Sequence, residues 1–385
     1  MPVSYPYTQY TGIWNLSAAS KAKGAGTWPV PPFAKLYSFG GGGQGQLGLG
    51  NNNNYSSPKQ VGATTEWSKT YAVRQASYAI RPNGTLWAWG LNSYGQLGLG
   101  NTTYYSSPKQ IGALTNWLEI APNGTSQKVI VLKTDGTLWS WGDGRFGQLG
   151  LGNTTAYSSP KQIGSGTSWA SIGQTCFAGF AIKTDGTLWS WGYGLNGQLG
   201  QGNTTDYSSP KQVGALTNWL RIAGGYYHAI AINTSGELYA WGRNTAGQLG
   251  DGTVTNRSSP VQIGALTNWL KVSGDKYSSA SIKTDGTLWS WGQNGQGQLG
   301  LGNTTSYSSP KQVGSLTNWS YVACGNFFTL SIKTDGTLWS WGYNANGMLG
   351  LGDITNRSSP NQVGSLTSWL SVTTGYNQSL AIAVN

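Results

Sequence analysis

The chain has 385 residues, with 23 Lys and Arg against 12 Asp and Glu, one His, two Cys and a formal net charge of +11. So few histidines, cysteines and carboxylates leave little from which to build a general acid, base, nucleophile or metal ligand set, and no apolar run of about 18 residues is present to cross a bilayer. The 59 Gly, 20 Trp and 21 Tyr, with only 9% charged residues, instead fit an all-β protein of aromatic strands and glycine turns, and exclude a disordered chain.

In chain order, residues 1–32 precede any repetition. Asn15 is placed to cap a short helix that runs to Lys23 and stops at Gly24, with Trp28 and three prolines continuing extended. A helix this short does not stand alone in water. The segment therefore reads as a docking arm, residues 1–32, that uses Trp14, Leu16 and Trp28 as apolar contacts, ahead of a second domain spanning 33–385.

That second domain is an array. Thr-Asp-Gly-Thr-Leu-Trp-Ser-Trp-Gly recurs unchanged at 134–142, 184–192, 284–292 and 334–342, and the terminal glycines fall at 40, 90, 142, 192, 242, 292 and 342. A period near 50 residues marks a solenoid or a propeller. In the unit from Trp169, strands are expected at 169–172, 179–183, 188–191 and 210–213, and Asp185-Gly186 predicts a two-residue type I′ hairpin. Alternation puts Leu188 and Ser190 on one face of the third strand and Trp189 and Trp191 on the other. The leading Pro210 suits only the start of a strand or an edge. The first unit lacks its two upstream strands and the last segment, 369–384, supplies two and stops. The expected fold is an all-β, closed seven-bladed β-propeller of four-stranded antiparallel blades, its ring closed by strands from both termini.

The phrase Asp-Gly-x-Leu-Trp-x-Trp-Gly followed by Gly-Gln-Leu-Gly, at 45–48, 95–98, 147–150, 197–200, 247–250 and 297–300 and as Gly347-Met-Leu-Gly350, closely resembles the regulator-of-chromosome-condensation repeat. The resemblance implies a seven-bladed propeller over about 350 residues; one such fold hosts many roles. It also implies histidine as third residue of the loop before each second strand, a place where this chain keeps only His228. That departure weighs against the family's chromatin-linked nucleotide exchange. The Gly-Trp-Arg-His-Thr signature of the similar plant UV-B photoreceptor is absent. The strings at 12–16 and 24–29 resemble a segment of tailed-phage structural proteins.

Positions that differ among otherwise fixed repeats are free for recognition. One is the loop before the second strand, where Phe177, Tyr226, Tyr227, His228, Tyr277, Phe327, Phe328 and Tyr376 form an expected aromatic arc, for partner binding or for filling the taper near the axis. A two-residue insertion falls around the same loop between Trp117 and Gly142. The other is the residue after Trp-Gly: Leu91, Asp143, Tyr193, Arg243, Gln293 and Tyr343. Each blade also keeps one cation near its fourth strand, Lys59, Lys109, Lys161, Lys211, Arg257, Lys311 or Arg357, a belt that deters edge pairing or else binds anions. Cys176 and Cys324 are too differently placed to form a disulfide. The sequence reading is a non-enzymatic virion component displaying a propeller, with no cofactor, metal, specific nucleic acid or membrane insertion. Its partners would be other virion proteins through the arm and a host surface glycan or protein through the propeller. The alternative is a cytoplasmic interaction scaffold or regulator of the chromosome-condensation type.

Overall fold

The aromatic and glycine phrase builds one strand and the turns that flank it. In the computed structural model, which describes residues 34–64 and 66–384, strands Trp169–Gln174, Ala178–Lys183, Leu188–Gly192 and Tyr207–Gln212 pair antiparallel in that order as one blade. The arm, with Trp14, Leu16 and Trp28, lies outside the described residues. Among the described residues no helix is long and apolar enough to cross a membrane.

Two local expectations are corrected. The hairpin at Asp185 is not type I′, because only Gly186 has a positive φ, of 79°. Gly186 N–H donates to the Lys183 carbonyl at 2.9 Å and Lys183 N–H to the Thr187 carbonyl at 3.0 Å, which is a type I turn with glycine in the left-handed position after it. Asp185 supports that turn by accepting from the amide and hydroxyl of Thr187, at 2.9 and 2.7 Å. The fourth strand starts at Tyr207 and ends at Gln212, so Pro210 sits inside it. Proline is tolerated there because this is the outermost strand and its register shifts between the pairs Lys211 with Ser190 and Tyr207 with Gly192.

Both faces of the third strand are covered. Leu188 packs with Val213, Trp219 and Trp241 toward the next blade, and Trp189 and Trp191 pack with Trp169 of their own blade and with Leu138 and Ile163 on the side of the preceding one. The seams carry a repeated polar contact. Trp241 Nε1–H donates to the Gln198 carbonyl at 2.9 Å, and Trp89, Trp141, Trp191, Trp291 and Trp341 reach Gln46, Gln96, Gln148, Gln248 and Gln298 in the same way. Phe39 takes this place in the closing blade. Gly-Gln-Leu-Gly needs its last glycine because a methyl on Gly200 would stand 2.9 Å from Trp241 Nε1.

At the hairpin end a cation lies between two indoles in each of several blades. Lys183 is 5.2 and 4.1 Å from the rings of Trp169 and Trp189, and Lys333 is 4.9 and 3.5 Å from Trp319 and Trp339. Burial holds the Lys333 ammonium below its usual pKa. Desolvated contacts of this kind are worth about 1–2 kcal/mol. Lys333→Ala is therefore expected to lower stability by about that amount, measured as the urea midpoint; an unchanged midpoint would show the contact to be idle.

The remaining blades repeat this plan over 69–110, 117–162, 219–262, 269–312 and 319–362. The seventh blade joins the termini. Ala34–Gly40 pairs antiparallel with Gln378–Val384 without a break from Ala34 opposite Val384 to Gly40 opposite Gln378, between outer strand Tyr55–Gln60 and inner strand Trp369–Thr374. The ring is closed as expected.

Candidate functional site

Backbone geometry brings the two varied places together. The residue after each Trp-Gly pair donates its amide to the carbonyl of the loop's second residue: Tyr193 to Phe177 at 3.0 Å, Arg243 to Tyr227 at 2.9 Å, Gln293 to Tyr277 at 2.9 Å and Tyr343 to Phe327 at 2.8 Å. Side chains that are far apart in the sequence thus share one end of the ring.

There the rings touch. Phe177 lies 5.7 Å from both Tyr226 and Tyr227 and 6.1 Å from Tyr193, and Tyr226 meets Tyr227 edge to face at 4.5 Å. Phe146 extends the cluster, 5.5 Å from Phe177 and 5.1 Å from Tyr193. Sequence reasoning missed Phe146. Its signal was available, since the residue before each Gly-Gln-Leu-Gly varies as Gln44, Tyr94, Phe146, Asn196, Ala246 and Gln296. Farther round, Tyr277 and Phe327 lie 6.3 Å apart. Cations bridge the gap: Arg243 sits 5.9 Å from the Tyr227 ring and 5.4 Å from Tyr277, and Lys276 sits 5.8, 5.4 and 5.2 Å from Tyr226, Tyr277 and Phe327. Phe177, Tyr226, Tyr227, Tyr277 and Phe327 are half-buried. Tyr376 is exposed but stands apart, beside Arg74, whose guanidinium is 5.9 Å from its ring.

Phe327 has a φ of 69°, a left-handed backbone that costs a non-glycine residue about 1–2 kcal/mol. The Asp275 carboxylate holds it there, accepting the Phe327 amide at 3.0 Å along with the Ser278 hydroxyl at 3.2 Å and the Lys276 amide.

Two expected arc members are not on the surface. Phe328 and His228 are both fully buried, because the third residue of each loop opens the second strand and points inward, as do Ala76, Lys128, Ala178, Ser278 and Gln378. Phe328 fills core between blades, and His228 Nε2 meets Ser279 Oγ at 3.0 Å. Burial lowers the His228 pKa from 6.5 to about 3. The unfolded chain thus takes up a proton near pH 6.5 and the fold does not until about pH 3, so stability falls as pH drops through that window, by up to about 1.4 kcal/mol per unit. Asp275 acts oppositely. Burial raises its carboxyl to about 7, so the fold binds a proton that the unfolded chain, with an aspartate near 3.9, does not, and stability rises as pH falls from about 7 toward 4. His228→Phe, which copies Phe328, is expected to gain stability over the parent as pH falls from 6.5 to 4; parallel pH profiles of the urea midpoint would contradict this.

The insertion is structural. Asn123 Nδ2 donates to the carbonyls of Gln174, Gly224 and Gly225 at 3.1, 2.9 and 2.9 Å, and a methyl on Gly124 would stand 2.8 Å from the Gly375 carbonyl, so this loop reaches across the centre of the ring. Beside it, burial brings the Lys128 ammonium down to about 7 while it donates to the Thr175 carbonyl at 2.8 Å. Cys176 and Cys324 are free and buried, and burial raises their thiols to about 11 and about 12.

The basic belt lies on the outermost strands, away from the arc. Lys59, Lys109, Lys161, Lys211 and Lys311 each lie over the tyrosine four residues earlier, at 5.9, 5.5, 5.5, 4.2 and 5.4 Å. Arg257 and Arg357 replace those tyrosines and pair with Asp251 and Asp353.

Comparison with known proteins agrees with this architecture. The regulator of chromosome condensation (RCC1) repeat matches seven times, at 34–78, 83–121, 135–175, 185–232, 235–281, 285–332 and 335–382. No curated protein matches. Among solved structures the chain is similar to Prp20p of Saccharomyces cerevisiae, at 19% identity and a TM-score of 0.83 over 95% of this chain and 94% of that one. Human WBSCR16 is similar at 19% identity and a TM-score of 0.81, over 91% and 98%. At these identities the likeness concerns the fold. By its seven repeats, the chain belongs to the regulator of chromosome condensation (RCC1) repeat family.

Proposed function

We propose that this chain is a non-enzymatic protein-binding propeller that docks a partner polypeptide on its loop-bearing face. The observation that carries the reading is the convergence, at one end of a rigid ring, of residues that vary among otherwise fixed repeats into a half-buried aromatic surface rimmed by cations. Half-buried tyrosine, phenylalanine and arginine on a rigid scaffold are residue types enriched at protein interfaces. The histidine, carboxyl and thiol behind the arc, His228, Asp275 and Cys176, are buried and engaged in hydrogen bonds, which favours binding over catalysis.

Family membership supports the same reading. The solved yeast relative is described by its binding to Gsp1p and histones, and in a second structure it is bound to Kap60. For this chain the corresponding role is a cellular interaction scaffold or regulator. A virion component anchored through residues 1–32 would draw on the strings at 12–16 and 24–29 alone; the repeat matches begin at residue 34, and the proposal rests on the propeller.

The test combines Phe177→Ala, Tyr226→Ala, Tyr227→Ala and Phe327→Gly, the last chosen because glycine accepts the left-handed backbone there. Affinity capture from source cells is expected to retain a protein on the parent chain and lose it on the variant, with the melting temperature largely kept. Undiminished capture by the variant, or its unfolding, would refute the reading.

A further inference from the structure

The arc carries two cations that form no ion pair among the described residues. Among the described residues no carboxylate lies within ion-pair distance of Arg243 or Lys276: the ion pairs are Arg145 with Asp143, Arg257 with Asp251 and Arg357 with Asp353. Arg243 Nε donates only to Thr245 Oγ1, at 3.0 Å. Asp275, the neighbour of Lys276 in the chain, is 3% exposed and accepts from the Lys276 and Phe327 amides and the Ser278 hydroxyl rather than pairing with either cation. From Arg243 and Tyr277 a cleft of about 570 Å³ runs outward between blades 219–262 and 269–312, past Gln293 and the exposed Val254 to Tyr307. Lys311 stands over that last ring, at 5.4 Å.

We propose that this surface binds an extended acidic stretch of a partner polypeptide, its carboxylates meeting Arg243 and Lys276, its apolar side chains lying on Tyr227, Tyr277 and Phe327, and its chain continuing into the cleft toward Tyr307. The inference rests on the docking role proposed above and adds the chemistry of the occupant. Charge complementarity selects the sign, since two cations already held in place by flanking rings need only carboxylates to complete the contact. A cleft lined by Val254, Tyr277 and Tyr307 calls for apolar side chains interspersed with the acids.

Nucleic acid fits less well. Phe177 and Tyr227 stack on each other at 23°, and Tyr226 meets them edge to face at 82° and 74°, so these rings engage one another rather than present open parallel faces on which bases stack. The chain's own residues 1–33 hold Lys21 and Lys23 and no Asp or Glu, the wrong sign to cover the arc.

The test uses the full-length chain and fluorescein-labelled poly(Glu,Tyr), read by anisotropy at low salt. Binding is expected for poly(Glu,Tyr) and not for poly(Lys,Tyr), and Arg243→Ala with Lys276→Ala is expected to weaken it at least about tenfold with the melting temperature unchanged. Phe327→Gly, which keeps both cations and relieves the backbone, is expected to weaken it as well. The proposal is overturned if poly(Glu,Tyr) does not bind, if the double variant binds equally, or if duplex DNA at equal charge concentration displaces it. Loss of the captured cellular partner in the arc variant together with failure of poly(Glu,Tyr) would leave the docking face standing and remove the acidic occupant.

Discussion

Deletion of residues 373–385 is expected to unfold or aggregate the protein rather than trim it. Strand Gln378–Val384 is the middle of the closing blade, with Ala34–Gly40 on one side and Trp369–Thr374 on the other. Its side chains serve both seams of that blade. Leu380 and Ile382 pack with Leu36, Trp67 and Trp89 toward one neighbour, and Ala381 and Ala383 with Phe39, Leu338 and Val363 toward the other. Losing the buried side chains of Leu380 and Ile382 alone forfeits about 1.5–3 kcal/mol each, and a net stability of about 5–15 kcal/mol does not absorb that together with two newly unpaired strand edges. The measurement is thermal melting with size-exclusion chromatography; a monomer with the parent's melting temperature would contradict the closure.

The second large effect concerns the seam tryptophans. Trp241 is fully buried between blades, and Trp241→Ala is expected to cost about 3–5 kcal/mol through the cavity and the lost transfer energy. Phenylalanine separates shape from hydrogen bonding, since Phe39 already occupies this place in the closing blade. There the Met348 carbonyl is satisfied instead by Ser379 Oγ, at 2.8 Å. Ser279 does the same for Gln248, at 2.7 Å, whereas Ala229 offers nothing to Gln198. Trp241→Phe should therefore cost more than Trp291→Phe, by about 1 kcal/mol, because only the former strands a buried carbonyl. Equal losses in urea titrations would show that the hydrogen bond contributes nothing at these seams.

These contrasts also show what the sequence makes legible. Period, strand order and ring closure follow from a repeated phrase and from ends that complement each other, because burial on both faces of every blade forces each unit into one register. The hairpin was misread because Asp-Gly suits two turn types, and the choice was made by hydrogen bonds from Thr187 to the Asp185 carboxylate. Phe327 and Phe328 are adjacent in the sequence, yet one borders the arc and the other fills the core; which of them points inward depends on where the second strand begins. Phe146 and the innermost-strand position occupied by Lys69, Glu119, Ser171, Arg221, Lys271, Tyr321 and Ser371 vary as freely as the loop and went unread, since variation by itself does not reveal which end of the ring a residue faces. The charge of +11 likewise says nothing of its layout. Only the fold separates belt lysines resting on their own tyrosines from Arg243 and Lys276 at the arc.

A partner docked on the loop-bearing face would cover that end of the ring and the mouth of the cleft and leave the other outer strands bare. Hydrogen–deuterium exchange of the full chain, free and with its captured partner, distinguishes the two faces. Slowed exchange is expected at 174–178, 224–228, 243–246, 274–278 and 324–328, with outer strands Tyr105–Gln110 and Tyr207–Gln212, which do not line the cleft, unchanged. Slowing confined to those outer strands, with the loops unaffected, would place binding on the basic belt and rule out docking on the loops.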